Sequence, residues 1–111
     1  MKVYVYYVYI LTNKNKKVLY TGVTNNLELR LIQHYKKSGN KSTFTGRYNC
    51  HFLLYYETYQ YINDAIDREK EIKRWVRKKK EELINAENPK WNFLNSEITL
   101  WPPKDSSLSS E

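Results

Sequence analysis

A single cysteine stands among the 111 residues. Cys50 can close no internal disulfide and offers no paired spacing for zinc, so the fold rests on neither staple and suits a reducing compartment. No stretch approaches the ~18 apolar residues of a membrane-spanning helix. The opening MKVYVYYVYIL has a lysine and then an apolar run, the outline of a secretory leader. Its alternating Val and Tyr read instead as a strand, and no small-residue cleavage site follows. A cytoplasmic location and no membrane partner are therefore expected. Acidic side chains are scarce as well: 12 Asp and Glu face 19 Lys and Arg, a net charge of +7. Such an excess directs attention to an anionic partner, nucleic acid first. The length fits one domain with a modest core.

Residues 3 to 11 and 17 to 22 are rich in β-branched and aromatic side chains and flank the polar TNKNKK cluster, which predicts an antiparallel hairpin. Tyr7, Tyr9 and Leu11 share one face of its first strand, and Val18, Tyr20 and Gly22 one face of its second. Tyr9 and Tyr20 then face each other or sit diagonally; the register stays open. TNNLELRLIQHYKK predicts a helix capped by Thr24 or Asn25, with Leu27, Leu31 and Tyr35 recurring every four residues. Arg30 and His34, also four apart, lie beside that stripe. Residues 38 to 49, rich in hydroxyls and with two glycines, read as a loop that can close over a ligand. CHFLLYYETY, residues 50 to 59, reads as a third strand. A long helix is expected from a cap at Asn63 or Asp64 to about Ala86, ended by Asn88 and Pro89, with an inward stripe of Ala65, Glu69, Ile72, Val76 and Leu83. Glu69 is the oddity in that stripe, because a carboxylate among apolar partners costs several kcal/mol unless it is paired or holds a cation.

Two phenols, a guanidinium, an imidazole and a carboxylate are the parts of a metal-dependent phosphodiester hydrolase. Glu can hold a hard divalent cation, Arg can neutralise phosphoryl charge, and Tyr or His can take a proton from water. The order YVY at 7 to 9, YTG at 20 to 22, Arg30, His34, the helix AIDREKEIKRW and then PKWN resembles the GIY-YIG nuclease domain, and most closely its small single-domain bacterial members. The resemblance covers about residues 4 to 94. Tyr7 stands where the name-giving glycine falls, Thr21 replaces the second isoleucine, and Val23 replaces a lysine found in some relatives.

The resemblance implies an α+β fold, a three-stranded antiparallel sheet flanked by helices, over residues 1 to 95, with 96 to 111 as a C-terminal arm or tail. It implies a DNA endonuclease in which Mg²⁺ or Mn²⁺ on Glu69 stabilises the leaving oxygen while water attacks phosphorus in line. No small-molecule cofactor is expected. Tyr9 is expected to act as general base, relayed through His34 and helped by positive charge from Arg30 or the metal. Tyr20 would orient water or phosphate, and the active-site asparagine maps onto Asn92.

The bland readings stand beside these. Glu69 can pair with Lys73 four residues on as an ordinary helix ion pair. The basic run 68 to 80, with Arg68, Lys73, Arg74, Arg77, Lys78, Lys79 and Lys80, is either a solvated face or a surface that tracks phosphates, with Trp75 stacking or packing. His51 and Cys50 read as structural. The other function classes are a nucleic-acid-binding module that cleaves poorly or not at all, and an accessory protein that docks another protein through its basic helix and tail.

Overall fold

The computed structural model describes residues 3–104. Strands β1 (Tyr6–Thr12), β2 (Leu19–Thr24) and β3 (Phe52–Tyr59) form one antiparallel sheet in the order β2-β1-β3. The helices are α1 (Leu27–Lys36), α2 (Phe44–Tyr48), α3 (Ile62–Lys73), α4 (Arg77–Glu87) and α5 (Asn95–Ile98). The expected α+β architecture is the one the chain adopts.

Side chains alternate across a strand, so β1 feeds two cores. Val8 and Ile10 pack with Leu54, Tyr55, Ala65, Ile72 and Ile84, under α3 and α4. Tyr9 and Leu11 pack with Leu53, Leu27, Leu31 and Cys50, under α1. A register shift between Ile10 and Leu11 marks a bulge in the β1–β3 pairing. The bulge lets the consecutive Leu54 and Tyr55 serve the same core.

The hairpin turn is built by Asn13, whose Oδ1 accepts from the backbone N–H of Lys17 at 2.9 Å and of Val18 at 3.2 Å. Lys16 supplies the left-handed residue, with φ 61°. This turn sets the register: Tyr9 pairs with Gly22 and Leu11 with Tyr20, so the two tyrosines are diagonal neighbours on one face.

Three local expectations are corrected. The cap of α1 is Asn26, whose side chain accepts from Leu29 N–H at 3.0 Å, rather than Thr24 or Asn25. The single long helix is two helices, and α3 begins after Tyr61 with no side-chain cap from Asn63 or Asp64. Val76 leaves the inward stripe: it is the N-cap of α4 and 73% exposed. The break has tertiary causes. Trp75 packs against the first core, and the Arg77 guanidinium donates to the carbonyls of Lys16 (3.0 Å) and Lys17 in the hairpin turn. That tether restarts the helix on a new line.

Two buried asparagines hold the chain after α4 against the outer edge of β3. Asn95 accepts from Leu53 N–H and donates to His51 C=O, both at 2.8 Å. Asn88 donates to the carbonyls of Leu54 (3.0 Å) and Asn92 (2.9 Å). Unpaired edge groups are thereby satisfied without a fourth strand. Ile98 and Trp101 pack on the second core, and Thr99 donates to Glu28 at 2.8 Å. Packed structure therefore continues past the expected boundary at residue 95. Of the expected arm, 105–111 lie outside the described residues.

Candidate active site

Tyr9 is 1% exposed, and its ring lies over Gly22. A Cβ at Gly22 would sit 2.4 Å from the phenolic oxygen and 2.5 Å from Cζ, so only glycine lets the ring cross β2. Gly22→Ala is expected to destabilise the fold by about 1–2 kcal/mol, because the clash exceeds the usual gain from restricting the unfolded chain. Urea unfolding of the two proteins checks this.

The Tyr9 hydroxyl is 3.0 Å from His34 Nε2, and His34 Nδ1 is 3.1 Å from Thr45 Oγ1. His34 is itself buried, on α1. Burial, with Arg30, Lys37 and His51 adding positive repulsion, lowers its pKa to about 4. It is neutral at pH 7 and carries one proton. Tyr9 goes the other way: burial pushes it up to about 12, while Arg30, which can hydrogen-bond the phenolate, pulls it down and Tyr20 and Glu69 push it up. The assignment consistent with both is Tyr9 O–H donating to Nε2 and Nδ1–H donating to Thr45. Arg30 acts on Tyr9 in the expected direction, but in the free protein burial outweighs the guanidinium.

Tyr20 lines a cleft of about 210 Å³ with Arg30, Gln33, His34, Lys37, Thr43, Phe44 and Thr45. Its ring meets His34 edge-on at 5.7 Å and stacks with Phe44 at 5.9 Å. Arg30 projects into the cleft from α1, steadied by Gln33 Oε1 at 3.0 Å.

Glu69 arrives on α3, from the opposite face of the sheet, and is near enough for its charge to raise Tyr9. Its Oε2 is 2.8 Å from Lys73 Nζ, which lies 5.9 Å from the Tyr20 ring centroid. The side chain is 13% exposed. Tyr9, Tyr20, Arg30 and His34 thus come together, and Glu69 is linked to them through Lys73, whose ammonium lies by the Tyr20 ring.

Asn92 does not join them. It is exposed and lines a different groove, with Tyr55, Tyr56, Glu57 and Asn88, beside the outer edge of β3. Asn88 fixes its backbone there, at the edge opposite β2.

The basic run divides. Arg68 is consumed by Glu57 (2.7 Å) and Glu71 (2.8 Å), which raise its pKa, and it lies over Trp75. Arg77 is committed to Glu81 and the hairpin turn. In the free protein both side chains are engaged in structural ties, Arg77 while still 43% exposed. Arg74, Lys78 and Lys79 are exposed, with Lys79 over Trp75 at 4.4 Å. Lys80 is partly buried and is pushed down by burial and by the charges of Arg77 and Lys73.

Thr45 and Phe44 were not singled out in the sequence. Residues 38–49 read as a loop, yet Thr43 caps the short α2 through Gly46 N–H at 3.1 Å. A Cβ on Gly46 would meet the Asn40 and Lys37 carbonyls at 2.4 and 2.6 Å. The T-x-x-G spacing was the available cue. Cys50, whose burial lifts its thiol to about 11, is unreactive core.

A family model described as the GIY-YIG catalytic domain matches residues 5–82. The chain belongs to the GIY-YIG family. This is a nuclease domain family. The match contains Tyr9, Tyr20, Arg30, His34 and Glu69 and stops short of Asn92. Among GIY-YIG relatives, the chain is 40% identical over 94 residues to a UPF0213 protein of Clostridium perfringens, covering 85% of this chain and 98% of that one. A UPF0213 protein of Staphylococcus haemolyticus is 39% identical over 79 residues, covering 71% and 93%. The solution structure of a UPF0213 protein from Bacillus halodurans matches with a TM-score of 0.51 and 29% identity, over 86% of this chain and 99% of that one.

Proposed function

We propose that this protein is a divalent-metal-dependent endonuclease that hydrolyses DNA phosphodiester bonds with activated water, in the cytoplasm. The observation that carries the reading is the buried chain Tyr9–His34–Thr45, which opens on a cleft that also holds Arg30 and Tyr20. In this reading the attacking water gives its proton to Tyr9 Oη as the Tyr9 proton moves to His34 Nε2. Imidazolium is disfavoured in the free protein by burial first and then by the charges of Arg30 and Lys37, and a bound phosphate anion offsets that repulsion. Arg30 neutralises charge gathering on the non-bridging oxygens, and Tyr20 orients water or phosphate.

Among the described residues no three His, Cys, Asp or Glu side chains gather into a metal cluster. Glu69 alone suits Mg²⁺ or Mn²⁺ better than zinc, because such ions keep several waters and take one or two carboxylates plus substrate oxygens. When bound there, the ion would supply Lewis-acid stabilisation of the leaving oxygen.

The test is incubation with supercoiled and branched DNA in Mg²⁺ or Mn²⁺, with Glu69→Ala as control. Metal-dependent nicking lost in the variant supports the proposal, and nicking retained without metal sinks it. DNA binding with no cleavage under any of these conditions would leave the binding-module alternative. The lysines at the start of α4 give a separate expectation. Replacing Lys78, Lys79 and Lys80 together with alanine should weaken DNA binding and reduce the slope of log K against log salt by about 1 to 2. An unchanged slope, measured by fluorescence anisotropy, would remove α4 from the interface.

A further inference from the structure

We propose that Lys73 is a displaceable counter-ion for Glu69: it occupies the carboxylate in the free protein and transfers to a nucleic-acid phosphate when the divalent cation binds. The inference rests on the metal role of Glu69 just proposed. Four observations carry it. The Lys73 ammonium is 2.8 Å from Glu69 Oε2, so one of the two carboxylate oxygens is already engaged by a cation. Lys73 is 49% exposed and Glu69 only 13%, so the lysine is the partner with more access to solvent. Its Nζ lies 5.9 Å from the centroid of the Tyr20 ring, which lines the cleft. Lys80 and Arg77 add positive charge nearby, and Glu69 is the one carboxylate paired with Lys73 among the described residues.

A lysine is a mobile point charge on a flexible stem, so leaving one anion for another costs little when both lie within reach. With the ammonium in place, only the fraction of molecules whose ion pair is open can accept a cation, and apparent metal affinity falls by that fraction. A phosphate that attracts Lys73 opens the pair. Metal and nucleic acid then favour each other, and by linkage the factor is the same in both directions. For a partly exposed pair the expected factor is about fivefold.

Mn²⁺ titration of the free protein, followed by electron paramagnetic resonance of the aquo ion, tests this without any turnover. Lys73→Met keeps the apolar stem, and it should bind Mn²⁺ about fivefold more tightly than the wild type. Lys73→Arg should stay within about twofold of the wild type, as the charge is retained. Lys80→Met removes a neighbouring charge that does not touch Glu69, and its gain should be less than about twofold. Equal affinities for Lys73→Met and wild type, or equal gains for Lys73→Met and Lys80→Met, would overturn the counter-ion role. Glu69→Gln separates the levels. Loss of Mn²⁺ in that variant with Lys73→Met unchanged overturns Lys73 alone. Retention of Mn²⁺ by Glu69→Gln overturns the metal assignment beneath it.

Discussion

Glu69→Ala should lower DNA cleavage by about 10³-fold, equivalent to about 4 kcal/mol of transition-state stabilisation, as expected when Lewis-acid assistance is lost. The loss should fall on the chemical step. Glu69 makes one ion pair, with the half-exposed Lys73, so truncation strands no buried charge. The stability cost of losing such a pair is below about 1 kcal/mol. DNA affinity should be unchanged or slightly raised, because a negative charge leaves a cationic site. Single-turnover cleavage and anisotropy on the same preparations check both halves. A variant that cleaves within tenfold of the wild type would show that Glu69 is an ordinary helix ion-pair partner.

The second large effect is on acid stability. His34 has a folded pKa of about 4 against 6.5 for the ordinary imidazole. Between those values the unfolded chain binds the extra proton and the folded chain does not, so stability rises with pH across the window. The contribution is complete above pH 6.5 and is lost as pH falls towards 4, for a total of about 3 kcal/mol. Burial is the first cause, with Arg30, Lys37 and His51 repelling the added charge. His51 is also lowered by burial and Glu57 is held below its ordinary value, so both lose stability on acidification too. The His34 share is isolated by difference: urea unfolding at pH 7.5 and 4.5 for the wild type and His34→Gln. The variant should be less stable at pH 7.5 and show a pH dependence smaller by about 2.5 kcal/mol over this window. Parallel pH profiles for the two proteins would mean that the imidazole titrates freely.

Much of the site was legible because its residues sit on regular elements. Period-two alternation placed Tyr9 on the face of Tyr20 and Gly22, and helical spacing placed Arg30 one turn from His34. Glu69 was visible as the polar member of an apolar stripe. The loop was harder. Nothing in residues 38–49 announces that Thr45 will bond the far nitrogen of His34, a contact across 11 residues that depends on how α2 folds back over α1. Asn92 fails for a related reason, since its place is set by the hold of Asn88 on β3, and PKWN encodes no such direction.

The amino-acid order by itself determined the strands, the faces that their tyrosines share, the excess of positive charge and the helix bearing Glu69. Each follows from local periodicity and composition, which act within a few residues. The tertiary structure alone decided the diagonal register that seats Tyr9 over Gly22, the break at Trp75, and the ties of Arg68 to Glu57 and of Arg77 to the hairpin turn. A period of two fixes which face a residue takes but not its offset along the partner strand. A cation's role depends on which anion lies within about 3 Å of it once the helices have packed.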